Sequence, residues 1–236
     1  MPHQIQKQVF ALSPSTLSLF SDCPRCFWLH VHGHWKRPSG PFPSLPSGMD
    51  GILKKHFDSF RDKGELPPEL RERSECKDLK LFGTTIQEKE FLEEWRNWRK
   101  GLSYKDKDGN ILKGALDNLL KKGKKLKLIV LDYKTRGYAL KEDTHKHYID
   151  QLNVYSFLLQ KMGYETEDYS FLLFYIPSKV LPTGEVIFDT HLVKIQADVK
   201  EAEKLFKKAI SVLQGKCPEH HKEKLCEWCK RVDHED

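Results

Sequence analysis

The sequence lacks any long apolar run. No stretch of the 236 residues approaches the roughly 20 consecutive apolar residues that a membrane-spanning helix needs. The first residues, MPHQIQKQVF, contain no apolar segment followed by a small-residue cleavage site, so we expect no secretory signal peptide. These two absences predict a cytoplasmic protein without a membrane partner.

The excess of positive over negative charge is also small. Lys and Arg number 40 and Asp and Glu number 34, which leaves a formal net charge of +6. This excess is compatible with a polyanionic partner such as nucleic acid, but it is too small to require one.

The length suits one substantial domain, so we expect a single domain over 1–236.

Cysteine is confined mainly to the two ends of the chain. Cys23-Pro-Arg-Cys26 lies near one end and Cys226-Glu-Trp-Cys229 near the other. In a reducing compartment, clustered cysteines bind metal more often than they form disulfides, and two CxxC units are typical of a four-cysteine site. We therefore predict a four-cysteine metal centre that joins the segments 12–48 and 215–229 as a long-range cross-link would.

Apolar periodicity predicts helices around a group of strands. The predicted helices are 13–20, 49–63, 86–99, 144–162 and 198–213. The predicted strands are 102–105, 111–120, 126–133, 169–176 and 186–195. Residues 36–48, rich in Pro, Gly and Ser, predict a loop. This order predicts an α/β protein with a mixed sheet flanked by helices, its core sheet lying within 101–195.

Asp132 and Lys134 end the most apolar run of the sequence, LKLIVLDY, which predicts the central strand. Strand alternation puts both side chains on one face and Tyr133 on the other. Asp117 follows GAL in the preceding predicted strand, and a tight turn would bring it near Asp132. Neighbouring carboxylates repel unless a cation lies between them, and oxygen ligands suit Mg²⁺ or Mn²⁺. The alternative is a solvated, salt-bridged strand edge.

The motifs GALD and DYKTRG, with 14 residues between them, and the later HKHYIDQLNVYSF resemble the core of RecB-type nucleases of the PD-(D/E)XK superfamily. The resemblance implies a restriction-endonuclease-like fold. It also implies metal ligands at Asp117, Asp132 and the backbone carbonyl of Tyr133, with a catalytic lysine at Lys134. One departure is Leu116, which precedes the first acid where the superfamily name has proline, although this position varies within the superfamily.

Three further site residues follow from the same resemblance. Gln151 and Tyr155 match a glutamine and a tyrosine that family members carry after the lysine, and their i, i+4 spacing puts them on one helix face. Tyr155 also fits the apolar stripe of its helix, so packing is its alternative role. His56 matches a histidine ligand from an upstream helix, although its distance from Gly51 is not the usual one. Its alternative is an ordinary surface histidine.

A [4Fe–4S] cluster is what the resemblance implies for the four-cysteine centre, because RecB-like nucleases, including CRISPR-associated exonucleases, often hold one. Those proteins usually take one cysteine from the amino-terminal side and three from the carboxy-terminal side. The symmetric pairing here selects Cys26 as the fourth ligand beside Cys23, Cys226 and Cys229, with Cys217 as the alternative. Zn²⁺ is the alternative occupant, since two CxxC pairs also describe a zinc site.

The activity that the resemblance implies is Mg²⁺- or Mn²⁺-dependent hydrolysis of DNA, of the exonuclease type. The metal would polarise the phosphodiester and lower the pKa of a bound water. Single- and double-stranded DNA both remain candidate substrates, and a helicase or a CRISPR or repair protein is an expected class of partner. Two alternatives keep the fold without the activity: an inactive nucleic-acid-binding module and a zinc-stabilised interaction protein.

Overall fold

The computed structural model describes residues 8–123, 126–219 and 226–232. Its strands are β1 (Ala11–Leu12), β2 (Leu79–Leu81), β3 (Leu102–Lys105), β4 (Ile111–Gly114), β5 (Asn118–Lys122), β6 (Lys127–Thr135), β7 (Tyr169–Val180) and β8 (Val186–Gln196). Its α-helices are α1 (Pro14–Asp22), α2 (Pro24–Val31), α3 (Ser44–Arg61), α4 (Pro68–Arg71), α5 (Ile86–Arg96), α6 (Ile149–Lys161) and α7 (Val199–Leu213). Short 3₁₀ helices are Ser74–Cys76, Thr144–Tyr148 and Cys229–Arg231.

Strand β6 lies at the centre of a five-stranded sheet with the order β2-β5-β6-β7-β8. It pairs antiparallel with β5 and parallel with β7, so the sheet is mixed. Residues 128–133 of β6 are buried, as expected of a strand whose two faces are both covered. Strands β1, β4 and β3 form a separate three-stranded sheet.

Helices cover both faces of the five-stranded sheet. Leu128 and Val130 of β6 pack in a core that includes residues of α6 and α7. Ile129 and Leu131, on the other face, pack in a second core with Phe57 of α3. Because side chains alternate along a strand, residues 132 and 134 of β6 face α6, and residue 133 faces α3.

Side-chain caps define where three helices begin. The Ser13 side chain accepts a hydrogen bond from the backbone of Thr16 at the start of α1, and Thr85 does the same with Glu88 at α5. Asp198 accepts from two backbone N–H groups at the start of α7. These caps satisfy N–H groups that have no partner within the helix, so local sequence determines the starts of α1, α5 and α7.

The predicted fold class, a mixed α/β sheet flanked by helices in the restriction-endonuclease-like manner, is confirmed. The prediction of a single strand over 111–120 is wrong. The chain leaves the three-stranded sheet after Gly114 and enters the five-stranded sheet at Asn118. The loop predicted at 36–48 ends sooner, because α3 begins at Ser44. Part of the predicted carboxy-terminal metal segment, 220–225, lies outside the described residues.

The structure also bears on membrane association. In the part of the chain that the structure describes, none of the helices combines the length and apolar composition required to cross a bilayer.

Candidate active site and cysteine cluster

Asp117, Asp132 and Lys134 come together at one end of the central strand. Lys134 Nζ lies 2.5 Å from Asp132 Oδ2. Asp117, in the connection between β4 and β5, accepts a hydrogen bond of 3.0 Å at Oδ2 from the backbone N–H of Tyr133. The backbone of β6 therefore holds the first acid beside the second, and the split of the predicted strand is what frees Asp117 to take this position.

Gln151 of α6 links the lysine and the second acid. Its Oε1 accepts from Lys134 Nζ at 3.3 Å, and its Nε2 donates to Asp132 Oδ1 at 3.4 Å. The same Nε2 donates to the hydroxyl of Tyr155 at 2.9 Å. The two α6 residues predicted from the sequence thus lie against Asp132 and Lys134, on the face of β6 that the strand alternation indicates.

Asp132 is 1% exposed, so its carboxylate is held out of water beside the charge of Asp117. Burial raises its pKa to about 7, with the Asp117 charge adding to the increase and Lys134 opposing it. Its Oδ2 forms a close ion pair with Lys134 Nζ. A divalent cation would stabilise both carboxylates, and an all-oxygen donor set fits Mg²⁺ or Mn²⁺.

Lys134 remains a cation in this setting. Burial lowers its pKa, but the charges of Asp132 and Asp117 outweigh burial, and the net pKa is raised. Its ammonium also lies 4.8 Å from the ring centroid of Tyr148, a cation–π contact. The site therefore keeps a positive charge in place beside its two acids.

Helix α3 contributes Lys54 to this site, and in this structure its His56 pairs with Glu69. Lys54 Nζ lies 3.3 Å from Asp117 Oδ1 and 2.8 Å from Asp50 Oδ2. His56 Nε2 lies 3.0 Å from Glu69 Oε1. Among the described residues, His56 does not form a cluster of possible metal ligands with Asp117 and Asp132. Two residues along a helix correspond to a rotation of about 200°, so His56 cannot share the face of Lys54. The i, i+4 pair of Asp50 and Lys54 is a charge pattern that sequence analysis could have used.

Behind Asp117 lies a network of two arginines that the sequence analysis missed. Arg96 of α5 donates from Nε to the backbone carbonyl of Asp117 at 2.8 Å, and from Nη1 to both oxygens of Asp58 at 2.9 and 3.0 Å. Arg61 of α3 also pairs with Asp58 and donates to Asn118 Oδ1 at 2.7 Å. Burial lowers the pKa of Arg61 to about 10 and lowers that of Arg96.

The predicted cysteine pairs meet in one cluster. Cys23 and Cys229 have their Sγ atoms 3.6 Å apart, and so have Cys26 and Cys226. All four Sγ atoms lie within 4.8 Å of one another, and the part of the chain that the structure describes has no other group of three or more His, Cys, Asp or Glu side chains so arranged. The arrangement is compatible with a metal centre.

Local structure explains how the amino-terminal pair is presented. Cys23 ends α1 and caps α2, with its Sγ accepting from the backbone N–H of Cys26. Cys217 lies outside the cluster, where Arg25 Nη1 donates to its Sγ at 3.4 Å. Burial raises the pKa of Cys26 to about 11. Since thiolates are the metal-binding form, a bound cation would have to lower that pKa again.

Comparison with known proteins decides the family. A sequence model of the PD-(D/E)XK nuclease superfamily matches residues 11–233. The chain belongs to this superfamily. A comparison with curated proteins finds no significant match. Among solved structures, one described as "Crystal structure of SSO0001" is 13% identical, with a TM-score of 0.43 over 87% of this chain and 78% of that one.

PD-(D/E)XK proteins are typically nucleases that depend on divalent metals, and membership suggests DNA as the substrate. The match spans the acid–acid–lysine group and the four clustered cysteines.

Proposed function

We propose that this protein is a Mg²⁺- or Mn²⁺-dependent deoxyribonuclease that cleaves DNA as an exonuclease. The observation that supports this most is the junction of Asp117, Asp132 and Lys134 at the end of β6, tied together by Gln151. A solvated strand edge would leave these groups in water, whereas Asp132 is buried and electrostatically strained.

Each side chain has a proposed role. Asp117 and Asp132, with the backbone carbonyl of Tyr133, would hold the cation, which would polarise the phosphodiester and lower the pKa of a bound water. Lys134 orients the attacking water or stabilises charge on the phosphate. Gln151 and Tyr155 position Lys134 and Asp132 through their hydrogen bonds. His56 remains a predicted ligand, and its ion pair with Glu69 would have to break first.

The test is cleavage of end-labelled single- and double-stranded DNA with Mn²⁺ or Mg²⁺. We expect wild-type protein to cleave and Asp132→Ala and Lys134→Ala to lose cleavage by about 100-fold or more, on the order of the loss of a key charge-stabilising group. Lys80→Ala is the matched control, because Asp78-Leu79-Lys80 repeats the acid-x-Lys spacing with both charged side chains exposed. Product lengths separate stepwise removal of nucleotides from internal cutting.

Failure has a defined meaning in this assay. If folded wild-type protein, with its cysteine centre filled, cleaves no DNA in either metal, the nuclease proposal is refuted. A nucleic-acid-binding role then replaces it.

We further propose that the cysteine cluster holds one Zn²⁺. Zn–S bonds of about 2.3 Å in a tetrahedral site put the sulfurs about 3.8 Å apart, close to the two separations of 3.6 Å. In a [4Fe–4S] cluster each iron takes its own cysteine, so the metal core holds the sulfurs farther apart. The [4Fe–4S] cluster implied by the resemblance stays the competing prediction.

Metal analysis of protein purified without oxygen distinguishes the two occupants. We expect one zinc per chain and none of the visible absorbance of an iron–sulfur cluster. Four irons and four sulfides per chain would instead establish the cluster and refute zinc.

A further inference from the structure

A groove opens beside the candidate active site. It has a volume of about 560 Å³, and Gln151 and Tyr155 are among its lining residues. Gly114 and Ala115 also line it, and so do Trp98 and Lys113. This volume is in the range that holds a small ligand, which is room for part of one extended strand.

An ordered turn holds Trp98 at this groove. The turn after α5 is closed by hydrogen bonds from the backbone of Lys100 to Asn97 and of Gly101 to Glu94. Gly101 has a φ of +57°, and an added Cβ there would lie 2.5 Å from the backbone oxygen of Gly114, so the turn packs directly on β4. The turn is held tightly, yet the Trp98 side chain is 77% exposed.

A single exposed tryptophan is common on protein surfaces, but the surroundings of Trp98 suit a nucleic acid. The Arg99 guanidinium lies 5.0 Å from its ring centroid. Lys113 and His147 line the same groove, and a second groove that shares His147 continues to Lys146 and Arg37. Two acids also line these grooves: Asp150 lines both, and Asp22 lines the second and pairs with Arg37. Aromatic platforms next to basic side chains are the usual combination for binding single strands.

We propose that this groove binds one unpaired DNA strand, stacks a base on Trp98 and leads the strand to Asp132 and Lys134. The proposal rests on the nuclease function proposed above. Single-strand preference follows from the chemistry of stacking, because away from the ends of a duplex both faces of each base are covered by neighbouring bases. Along an unpaired strand, by contrast, every base can offer a face to a tryptophan.

The test measures binding separately from cleavage. Lys134→Ala protein without added divalent metal is titrated with a labelled DNA single strand, a duplex and an RNA strand of equal length, by fluorescence anisotropy. We expect the DNA single strand to bind tightest. Adding Trp98→Ala should weaken that binding about 5- to 150-fold, the range for one lost base stack, and Trp98→Phe should restore part of it.

Ile86→Ala is the matched control, since Ile86 is an 81% exposed apolar side chain on α5, the helix before the Trp98 turn, and lies outside the groove. Circular dichroism checks the fold of each variant. Unchanged binding in Trp98→Ala overturns the proposal, as does tighter binding of the duplex or of RNA. If the wild-type protein cleaves DNA but Trp98→Ala leaves binding unchanged, the groove proposal is refuted and the nuclease function stands. If binding depends on Trp98 but the wild-type protein cleaves no DNA, the nuclease function is refuted and the groove proposal stands.

Discussion

Gln151 joins the other members of the candidate active site through both ends of its amide. The oxygen accepts from Lys134, and the nitrogen donates to Asp132 and Tyr155. These partners leave only one orientation of the amide that satisfies all three. A small shift of Tyr155 would therefore change the position of Gln151, and with it the contact between Lys134 and Asp132.

Gly114→Ala tests this dependence. A Cβ at Gly114 would lie 2.7 Å from Cε1 of the Tyr155 ring, so either the ring or β4 must move. We expect a loss of stability of about 1–3 kcal/mol, typical of overpacking. Cleavage should fall about 10- to 100-fold, because misplacement of a catalytic group by about 1 Å has that effect. Thermal unfolding and steady-state cleavage measure the two.

The control for this substitution is Gly40→Ala, where an added Cβ meets no atom within 4 Å. It should leave both stability and cleavage close to wild type. If Gly114→Ala were destabilised as expected but cleaved DNA at the wild-type rate, the placement of Tyr155 would have no bearing on catalysis.

Asp132 should make the stability of the metal-free protein depend on pH. Its folded pKa, raised to about 7 by burial and by Asp117, exceeds the value of about 3.9 in an unfolded chain. The stabilisation from the bound proton is full below the unfolded pKa and lost as pH rises through the folded pKa. We expect the melting temperature of Asp132→Asn, relative to wild type, to increase between about pH 4 and pH 7.

Adding Mn²⁺ at about pH 8, above the folded pKa, should raise the melting temperature of wild type, because the ion binds the folded state. It should not raise that of Asp132→Asn. A difference between the two proteins that is constant across the pH range would show that Asp132 is ionised throughout. Equal stabilisation of both proteins by Mn²⁺ would place the ion elsewhere.

At the scale of elements, helices α3 and α5 fix the connection that carries Asp117. Arg96 of α5 holds the Asp117 carbonyl and bridges to Asp58 of α3. Arg61 of α3 holds Asn118, the first residue of β5. The two helices therefore position the first acid through its backbone, on the side away from α6.

Arg96→Ala should disturb this connection more than it disturbs the rest of the fold. We expect a loss of about 1–3 kcal/mol, typical of leaving buried hydrogen-bonding groups without a partner. Half-maximal cleavage should need a higher Mn²⁺ concentration, because Asp117 would be less well placed. Denaturant unfolding and Mn²⁺ titration of cleavage give the two quantities, and Arg96→Lys should restore only part of each because lysine lacks the planar fork.

Lys89→Ala serves as the matched control. Lys89 also lies on α5 and also pairs with an acid near α3, Asp62, but both side chains are about half exposed or more. Such surface pairs contribute about 0–1 kcal/mol. An equal Mn²⁺ requirement in Arg96→Ala and Lys89→Ala would contradict a positioning role for Arg96.

Local patterns predicted most elements, and the failures have physical causes. Helix α6 and strand β6 were predicted because apolar spacing reports which face is buried. Residues 111–120 read as one strand because GAL continues the apolar run, although the chain changes sheets there. Arg96 was missed because its partners, Asp58 and Asp117, lie far away in sequence and no local spacing encodes such contacts. Lys54 has a local partner in Asp50, but its contact with Asp117 is equally remote in sequence. The alternation of Asp132 and Lys134, by contrast, is local and is present in β6.

At the scale of the whole molecule, the cysteine cluster ties together the two ends of the described chain. Cys26 and Cys226 are 200 residues apart. In the chain-entropy account, closing a loop of that order stabilises the folded state by about 5 kcal/mol. Arg37 donates to Cys226 Sγ at 3.2 Å and also lines the second groove, together with residues of α1. Loss of the bound metal should therefore loosen the amino-terminal helices as well as the carboxy-terminal segment.

Cys26→Ser and Cys217→Ser, compared side by side, decide the fourth ligand. Cys26 Sγ belongs to the four-sulfur group and Cys217 Sγ does not. We expect Cys26→Ser to lose its metal and several kcal/mol of unfolding free energy, since metal binding at such sites is coupled to folding. Cys217→Ser should keep both, apart from the weakened contact with Arg25. The metal-to-protein ratio and denaturant unfolding measure these effects. The reverse pattern would make Cys217 the ligand, and would require the segment around residue 217 to move toward the cluster when metal binds.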